Sequence, residues 1–270
     1  VELRDPDSVY PIFRSESKEN LARLLGHEEN VHLHNLVVDL NPGKEEAFRA
    51  GHEAKHAENY RINSFHLGEG SPKQKFRANM DAIYTLKTLE NQNRDATPEE
   101  QETLANYVGW GGLADAFDAE KTAWAGEYKE LKAALTEEEY AAARASTLNA
   151  HYTSPTVIRA IYEALDGMGF EKGNILEPSM GVGNFFGMLP DSMLGSRLYG
   201  VELDSITGRI AQKLYPQAEI KVAGFETTDH RDFYDLAVGN VPFGNYRVSD
   251  KPYDKLGFSI HNYFFAKALD

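Results

Sequence analysis

Three polar side chains that can bind or orient a ligand follow short apolar segments in the second half of the chain. They are Glu177, Glu202 and Asn240. A carboxylate can pair with an ammonium group or accept hydrogen bonds from hydroxyls, and a side-chain amide oxygen can accept hydrogen bonds from an amine. Ligands of open α/β sheets bind at the carboxyl ends of the parallel strands. The spacing therefore predicts that these three groups line one ligand site at that end of a sheet.

A glycine-bearing turn follows Glu177, in the segment Glu177-Pro-Ser-Met-Gly-Val-Gly-Asn-Phe185. Gly181 and Gly183 allow the backbone to approach a cofactor closely. The dinucleotide fingerprint needs a small residue three positions after its second glycine, and Phe186 stands there, which disfavours a nicotinamide cofactor. Glu202 lies about 20 residues further on, where an acid that binds ribose hydroxyls is expected. The alternative for Glu202 is a solvated acid at a strand end.

The segment after the last strand candidate is Asn240-Val-Pro-Phe243. It resembles the Asn/Asp-Pro-Pro-Tyr/Phe motif of DNA methyltransferases that act on exocyclic amino groups, with Val241 in place of the first proline. The resemblance implies S-adenosyl-L-methionine as the cofactor. It also implies that the Asn240 side chain and the Val241 carbonyl hold the target amine, that Pro242 shapes the loop, and that Phe243 stacks on a flipped base.

The same resemblance assigns cofactor contacts along the chain. His151-Tyr-Thr-Ser-Pro155 is similar to the segment that contacts the methionine carboxylate, which gives that role to Thr153. Phe225 corresponds to the residue that covers the adenine ring. The family's acid for the adenine amino group is replaced by Gly224, and Glu226 lies beyond it. The implied cofactor-binding residues are Thr153, Glu177, Pro178, Ser179, Gly181, Gly183, Phe185, Glu202, Leu203 and Phe225.

Short apolar strands and helices alternate from residue 151 onward, which predicts an α/β fold with a Rossmann-like parallel sheet and right-handed crossovers. The strand candidates are Asn174–Leu176, Leu198–Glu202, Glu219–Val222 and Asp235–Val238, and the helix candidates are Pro155–Leu165, Asn184–Met188, Ser205–Leu214 and Ser259–Leu269. The family sheet has seven strands, so the resemblance implies a sheet truncated after its fourth strand. We expect the remainder of a larger polypeptide, or a self-associating copy, to cover that open edge.

Three regions are predicted: an N-terminal extension of unclear structure (1–70), a mainly helical region (71–150) and a partial methyltransferase-like domain (151–270). Helix starts are expected at Ser71-Pro72, Thr97-Pro98 and Thr136. Trp110 lies among glycines and either shapes the pocket or anchors the core, and the core interpretation is favoured. Residues 71–150 resemble the helical lead-in of large methylase–helicase proteins of bacterial mobile elements. Because the chain starts at Val1 and stops within a predicted helix at Asp270, we expect a piece of a longer protein.

The net charge of −14 provides no general basic field for nucleic acid. A DNA partner must therefore be contacted through a local basic patch or a module outside this chain. The loop from Tyr246 to Lys255 combines aromatic and cationic residues and is the local candidate, whereas a solvated loop is the alternative. No apolar run approaches the length of a membrane span, and the chain has no cysteine. We expect a cytoplasmic protein without membrane contact.

His52-Glu-Ala-Lys-His56 matches the His-Glu-x-x-His pattern of zinc proteases. Its neighbourhood is polar and lacks the apolar face that a packed metal-binding helix needs. No metal site is therefore expected, apart from adventitious binding with the nearby His32 and His34.

The leading hypothesis is methylation of adenine N6 in DNA. Cytosine N4 is a close variant that the motif does not separate from adenine. Two other hypotheses stay open: a non-catalytic methylase-like module for binding or assembly, and a methyltransferase for a protein amide such as a glutamine side chain.

Overall fold

The computed structural model describes residues 2–4, 11–14, 57–63, 68–147, 152–244 and 246–270. The chain divides into two compact units, Val1–His56 and Ala57–Asp270. In the first unit, strands β1 (Glu2–Arg4) and β2 (Pro11–Arg14) pair antiparallel. The His52–His56 motif, with His32 and His34, lies outside the described residues.

A four-stranded parallel sheet forms the centre of the second unit. Its strands are β3 (Asn174–Glu177), β4 (Arg197–Glu202), β5 (Glu219–Val222) and β6 (Leu236–Ala237), in the order β5-β4-β3-β6. The α/β parallel-sheet prediction is confirmed. The chain runs outward from β3 to β5 and then returns to place β6 beside β3. Such a reversal opens a crevice at the carboxyl ends of the strands on either side of it.

Helices α5 (Pro155–Gly167), α6 (Asn184–Gly187), α7 (Ser205–Leu214) and α8 (Ile260–Ala268) alternate with these strands. The predicted bounds of β5 and α7 agree with the structure. Strand β6 has two residues instead of the predicted four, although the N–H groups of Asp235 and Val238 still donate to the carbonyls of Asn174 and Leu176 on β3, both at 2.9 Å. In the described residues β6 pairs only with β3, so the fourth strand lies at an edge of the sheet, as predicted.

Within the described residues 68–147, four α-helices precede α5 and the sheet: α1 (Pro72–Gln92), α2 (Pro98–Ala105), α3 (Ala125–Ala134) and α4 (Glu137–Ser146). Reciprocal capping boxes start α1 at Ser71, α2 at Thr97 and α4 at Thr136, which confirms the three predicted starts. Helix α3 was not predicted. Only Leu131 of this helix is buried, and no side chain caps its start, so the usual capping signal was missing.

Trp110 is a core residue. It is 1% exposed, and its ring contacts Phe76, Tyr107 and Phe117 at centroid distances of 5.3–6.3 Å. The core interpretation of this tryptophan is therefore confirmed, although its indole N–H has no hydrogen-bond partner in the described part of the chain. The large hydrophobic core is continuous from these helices to the sheet.

Charged side chains also join the helical region to the sheet. Arg209 on α7 donates to Glu90 of α1 at 2.9 Å and contacts Glu139 of α4, which also pairs with Lys87 at 3.2 Å. These side chains are mostly buried, so the pairs are screened less than surface pairs. The network holds α7, the helix that follows Glu202, against α1 and α4. None of the helices in the described ranges is long and apolar enough to span a membrane.

Candidate functional site

The turn between β3 and α6 requires glycine at two positions. Gly181 and Gly183 have φ of +56° and +82°, a region that L side chains adopt only with strain. A Cβ on Gly183 would also lie 2.5 Å from a ring carbon of the buried Tyr215. The Met180 N–H donates to the carbonyl of Val201 on β4 at 3.0 Å, which holds the turn across the end of that strand. The turn therefore places the backbone of Gly181 and Gly183, which carries no side chain, at the carboxyl ends of β3 and β4.

Glu202 at the end of β4 joins this turn to the start of α7. Its Oε2 accepts a hydrogen bond from the Gly181 N–H, and its Oε1 accepts one from the Asp204 N–H, both at 2.8 Å. Each carboxylate oxygen has a second lone pair, so two further donors such as vicinal hydroxyls can bind. Burial raises the pKa of Glu202 to about 7.

Glu177 at the end of β3 is a buried carboxyl group with an unsatisfied oxygen. The residue is 2% exposed, and its Oε2 has no hydrogen-bond partner among the described residues. Burial, followed by the nearby Glu202 charge, raises the pKa of Glu177 well above its usual range. A buried unpartnered acceptor is costly, and an ammonium group would supply both the missing donor and the counter-charge. This orphaned oxygen is the clearest sign of a ligand in the site.

The Asn240 loop is fixed to the glycine turn. The Ser179 hydroxyl donates to the Asn240 carbonyl at 3.0 Å, across the switch point between β3 and β6. Gly239 leaves room for this approach, since a Cβ there would lie 3.3 Å from Cγ of Glu177. Asn240, Val241 and Pro242 are half-buried, whereas Phe243 is 60% exposed. The Phe243 ring of this loop is thus exposed at the surface, whereas Asn240 is partly covered.

The structure brings most of the predicted site residues together. The contacts above join Glu177, Ser179, Gly181, Glu202 and Asn240, with Pro178 and Gly183 inside the same turn. Thr153 follows Tyr152, whose ring carbon lies 3.1 Å from the position of a Cβ on Gly181.

The side chains of three predicted cofactor-binding residues make none of the contacts described above. Phe185 is buried against Tyr162, whose hydroxyl donates to the Phe185 carbonyl at 2.9 Å. The Phe185 side chain therefore packs in the core next to the glycine turn. Phe225 is 4% exposed and packs on Phe264. Leu203 is 76% exposed beside Glu202.

Tyr152 and Asp204 are site neighbours that sequence reasoning missed. Burial raises the pKa of Tyr152 well above its usual range, and its hydroxyl lies near Glu202, Asp204 and Thr207. Asp204 caps α7 by accepting hydrogen bonds from the N–H and the hydroxyl of Thr207 at 2.8 and 2.7 Å. The signal for Asp204 was an acid directly before a predicted helix.

We expect the stability of the unliganded protein to fall as the pH rises from about 4.5 to about 7. The unfolded chain loses the Glu202 proton near the ordinary glutamate pKa of 4.5, whereas the folded chain keeps it until about 7. Across that window the folded state binds more protons, so raising the pH favours unfolding. Glu177 acts in the same direction. Thermal melts from pH 5 to 8 should show a weaker pH dependence in Glu202→Gln than in the wild type, and identical profiles would contradict the assignment.

Comparisons with known proteins connect the chain to methyltransferases and phage proteins. No family model matches it. It is 28% identical over 209 residues to the "Defense against restriction protein B" of Escherichia phage P1, a match that covers 75% of this chain and 8% of that protein. It is 34% identical over 92 residues to the type II methyltransferase M.CvrRI of Paramecium bursaria Chlorella virus XZ-6E, covering 34% of this chain and 24% of that protein. The chain thus spans a small part of the length of both relatives.

A solved structure from Listeria monocytogenes, described as a class I S-adenosylmethionine-dependent methyltransferase, is similar at 12% identity and a TM-score of 0.35. That match covers 72% of this chain and 69% of the other.

Proposed function

We propose that the site binds S-adenosyl-L-methionine and that the chain methylates an exocyclic amino group of a DNA base, adenine N6 in the first place. The proposal rests on one observation. Glu177, Glu202 and Asn240 lie together at the switch point of a parallel sheet. The similarity to a viral type II methyltransferase supports the methyl-transfer class. The DNA substrate is inferred from the Asn240–Phe243 motif.

The residues present fit the cofactor at both ends. The orphaned Glu177 carboxyl group suits the ammonium group of the methionine part, and Glu202 suits the two ribose hydroxyls. When bound, the cofactor supplies a methyl group on a positively charged sulfur.

The protein's own part in the chemistry is to position the amine. An exocyclic aromatic amine is a weak nucleophile, so the Asn240 amide oxygen and the Val241 carbonyl accept its two N–H bonds and direct its lone pair. Ser179 holds the Asn240 backbone, and the Asn240 side chain makes no hydrogen bond within the described ranges, so it is available for this task. The exposed Phe243 ring stacks on the unpaired base and returns part of the cost of unstacking it.

The loop after Phe243 presents the cations that this proposal needs. Asp250 pairs with Lys267 at 2.7 Å, and Asp254 accepts a hydrogen bond from the Asp250 N–H at 2.8 Å. Both acids of the loop are therefore engaged internally. The exposed Arg247, Lys251 and Lys255 make no ion pair within the described ranges, so their charges are available, and we propose that they contact the DNA phosphates.

Replacing Arg247, Lys251 and Lys255 by serine should weaken DNA binding and lower the slope of log affinity against log salt by up to about three. Fluorescence anisotropy at several salt concentrations measures both quantities. Lys129, Lys172 and Lys75 provide a charge-matched triple variant outside the loop. Equal losses in the two triple variants would contradict a DNA-contacting loop.

Calorimetry with S-adenosylmethionine tests the proposal first. An absence of binding at millimolar cofactor would overturn it. Radiolabelled methyl transfer then separates the substrates: label in DNA supports the proposal, and label in protein supports an amide methyltransferase. Cofactor binding without transfer to either substrate would favour a binding or assembly module.

We further propose that a strand from the remainder of a longer polypeptide, or from a second copy, covers β6. Its two residues pair on one side only in the described residues, and Ala237 is exposed. An uncovered strand edge is a template for pairing. Light scattering of the isolated chain should show self-association that rises with concentration, and a sharp monomer at all concentrations would overturn this.

A further inference from the structure

A buried ion pair joins the loop after Phe243 to helix α8. Nζ of Lys267 on α8 lies 2.7 Å from Oδ2 of Asp250 in the loop, and the two side chains are only 11% and 9% exposed. The Tyr263 hydroxyl donates to the same carboxylate oxygen at 2.7 Å. Two donors on α8 therefore converge on one acid of the loop.

Lys267 also contacts the turn that follows β5. Its Nζ donates to the backbone carbonyl of Glu226 at 3.4 Å and lies 5.4 Å from the centroid of the Phe225 ring. The centroid of the Tyr253 ring, in the loop, is 5.9 Å from the same nitrogen. The Phe225 ring in turn packs on Phe264 of α8 at 5.1 Å. The ammonium group is thus a common contact of three segments: α8, the loop and the turn after β5.

The backbone around Asp250 organises the rest of the loop. The N–H groups of Tyr253 and Asp254 donate to the Asp250 carbonyl at 2.8 and 2.9 Å. The Asp250 N–H donates to Oδ1 of Asp254 at 2.8 Å. Each of these two acids is followed directly by a lysine, Lys251 or Lys255. The position of Asp250 therefore sets the position of both lysines.

Net stability does not explain a pair of this kind. Taking two charges out of water costs about as much as their attraction returns, so replacing a buried ion pair with uncharged groups of similar size is often neutral. Burial does fix the two partners to each other, because a charge that leaves its partner inside the protein stays desolvated at high cost. The pair is therefore suited to hold the loop in one place.

We infer that Lys267 is a positioning residue for the nucleic-acid substrate, which acts through Asp250 to hold Lys251 and Lys255 in place for contact with the DNA phosphates. This inference rests on the proposed function. The apparent affinity of a protein for its ligand falls with the fraction of molecules that are in the binding-competent form. Loss of the pair should therefore weaken DNA binding without changing the contacts made in the complex.

The double variant Asp250→Asn/Lys267→Met tests this inference, because it removes both charges and leaves the net charge of the chain at −14. Removing one partner alone would leave a buried unpaired charge and destabilise the fold. We expect the DNA affinity of the double variant, measured by fluorescence anisotropy, to fall about tenfold, as when a tenth of the molecules hold the loop in place. Its affinity for S-adenosylhomocysteine and its free energy of unfolding should stay close to those of the wild type.

The salt dependence of DNA binding separates positioning from direct contact. A loop that is only less well held makes the same phosphate contacts once it is bound, so the slope of log affinity against log salt should equal that of the wild type. A direct contact between Lys267 and a phosphate would instead lower the slope by about one. The control is Arg77→Met/Glu130→Gln, which removes a 2.8 Å ion pair between α1 and α3 at equal net charge and should change neither quantity.

Two single variants complete the test. Lys267→Arg keeps the charge and should retain most of the DNA affinity, whereas Tyr263→Phe removes the second donor to Asp250 and should weaken DNA binding by less than the double variant does. Wild-type DNA affinity in a folded double variant, or a slope lowered by about one, would overturn the inference. If the double variant does not fold, an unchanged affinity in Tyr263→Phe would do the same. A wild type that binds the cofactor but no DNA would refute both the inference and the DNA substrate, and cofactor binding would stand.

Discussion

Replacing Asn240 by alanine should reduce the rate of methyl transfer by about 10²- to 10³-fold, the size of effect expected when one preorganised polar contact to the reacting group is lost. The amide oxygen is one of the two acceptors that hold the amine, and the Val241 carbonyl alone leaves the amine free to rotate. The loop itself should stay in place, because Ser179 contacts the Asn240 backbone carbonyl and not its side chain. Cofactor affinity should therefore remain close to that of the wild type.

Single-turnover transfer to DNA and calorimetry with the cofactor measure the two quantities separately. Asn262→Ala, an exposed asparagine on α8, is the matched control and should leave both unchanged. Loss of cofactor binding in Asn240→Ala would indicate a structural role. Full transfer activity in Asn240→Ala would contradict the placement of the amine.

Replacing Gly183 by alanine should destabilise the protein by about 2–5 kcal/mol, combining the strain of a side chain in the left-handed region with overpacking of a filled core. The new Cβ would lie 2.5 Å from the Tyr215 ring and 2.9 Å from Met180 Cε. Met180 can move, but Tyr215 is 1% exposed and its ring packs on Phe186 at 5.7 Å. The turn must therefore shift, and cofactor binding should weaken together with stability.

Denaturant unfolding measures the free energy of unfolding of Gly183→Ala, and Gly126→Ala is the matched control without a clash. Gly126 lies in the first turn of α3, and a Cβ there has nothing within 4 Å. Alanine at that position should stabilise the protein by up to about 1 kcal/mol, because glycine is a poor helix former. If both variants showed similar stability, the proposed clash with Tyr215 would be wrong.

Local signals in the sequence were sufficient for much of the fold. The caps at Ser71, Thr97 and Thr136 bind only to the residue three positions later. They could therefore be recognised from the sequence without any tertiary information. Strand β5 and helix α7 were predicted at their observed bounds from the alternation of short apolar strands and helical segments after residue 151. Helix α3 was missed because no side chain caps its start and Leu131 is its one buried residue.

For the candidate site, residue types and spacing identified Glu177, the glycine turn and Glu202, because strand ends in a parallel sheet are a common edge. The Asn240 motif was identified by its resemblance to the motif of amino-methylating DNA methyltransferases. Only the tertiary structure decided what surrounds them. Burial leaves one Glu177 oxygen without a donor, and packing turns Phe185 and Phe225 into the interior. These features depend on contacts between residues that are far apart in the sequence. Residue spacing along the chain does not specify those contacts.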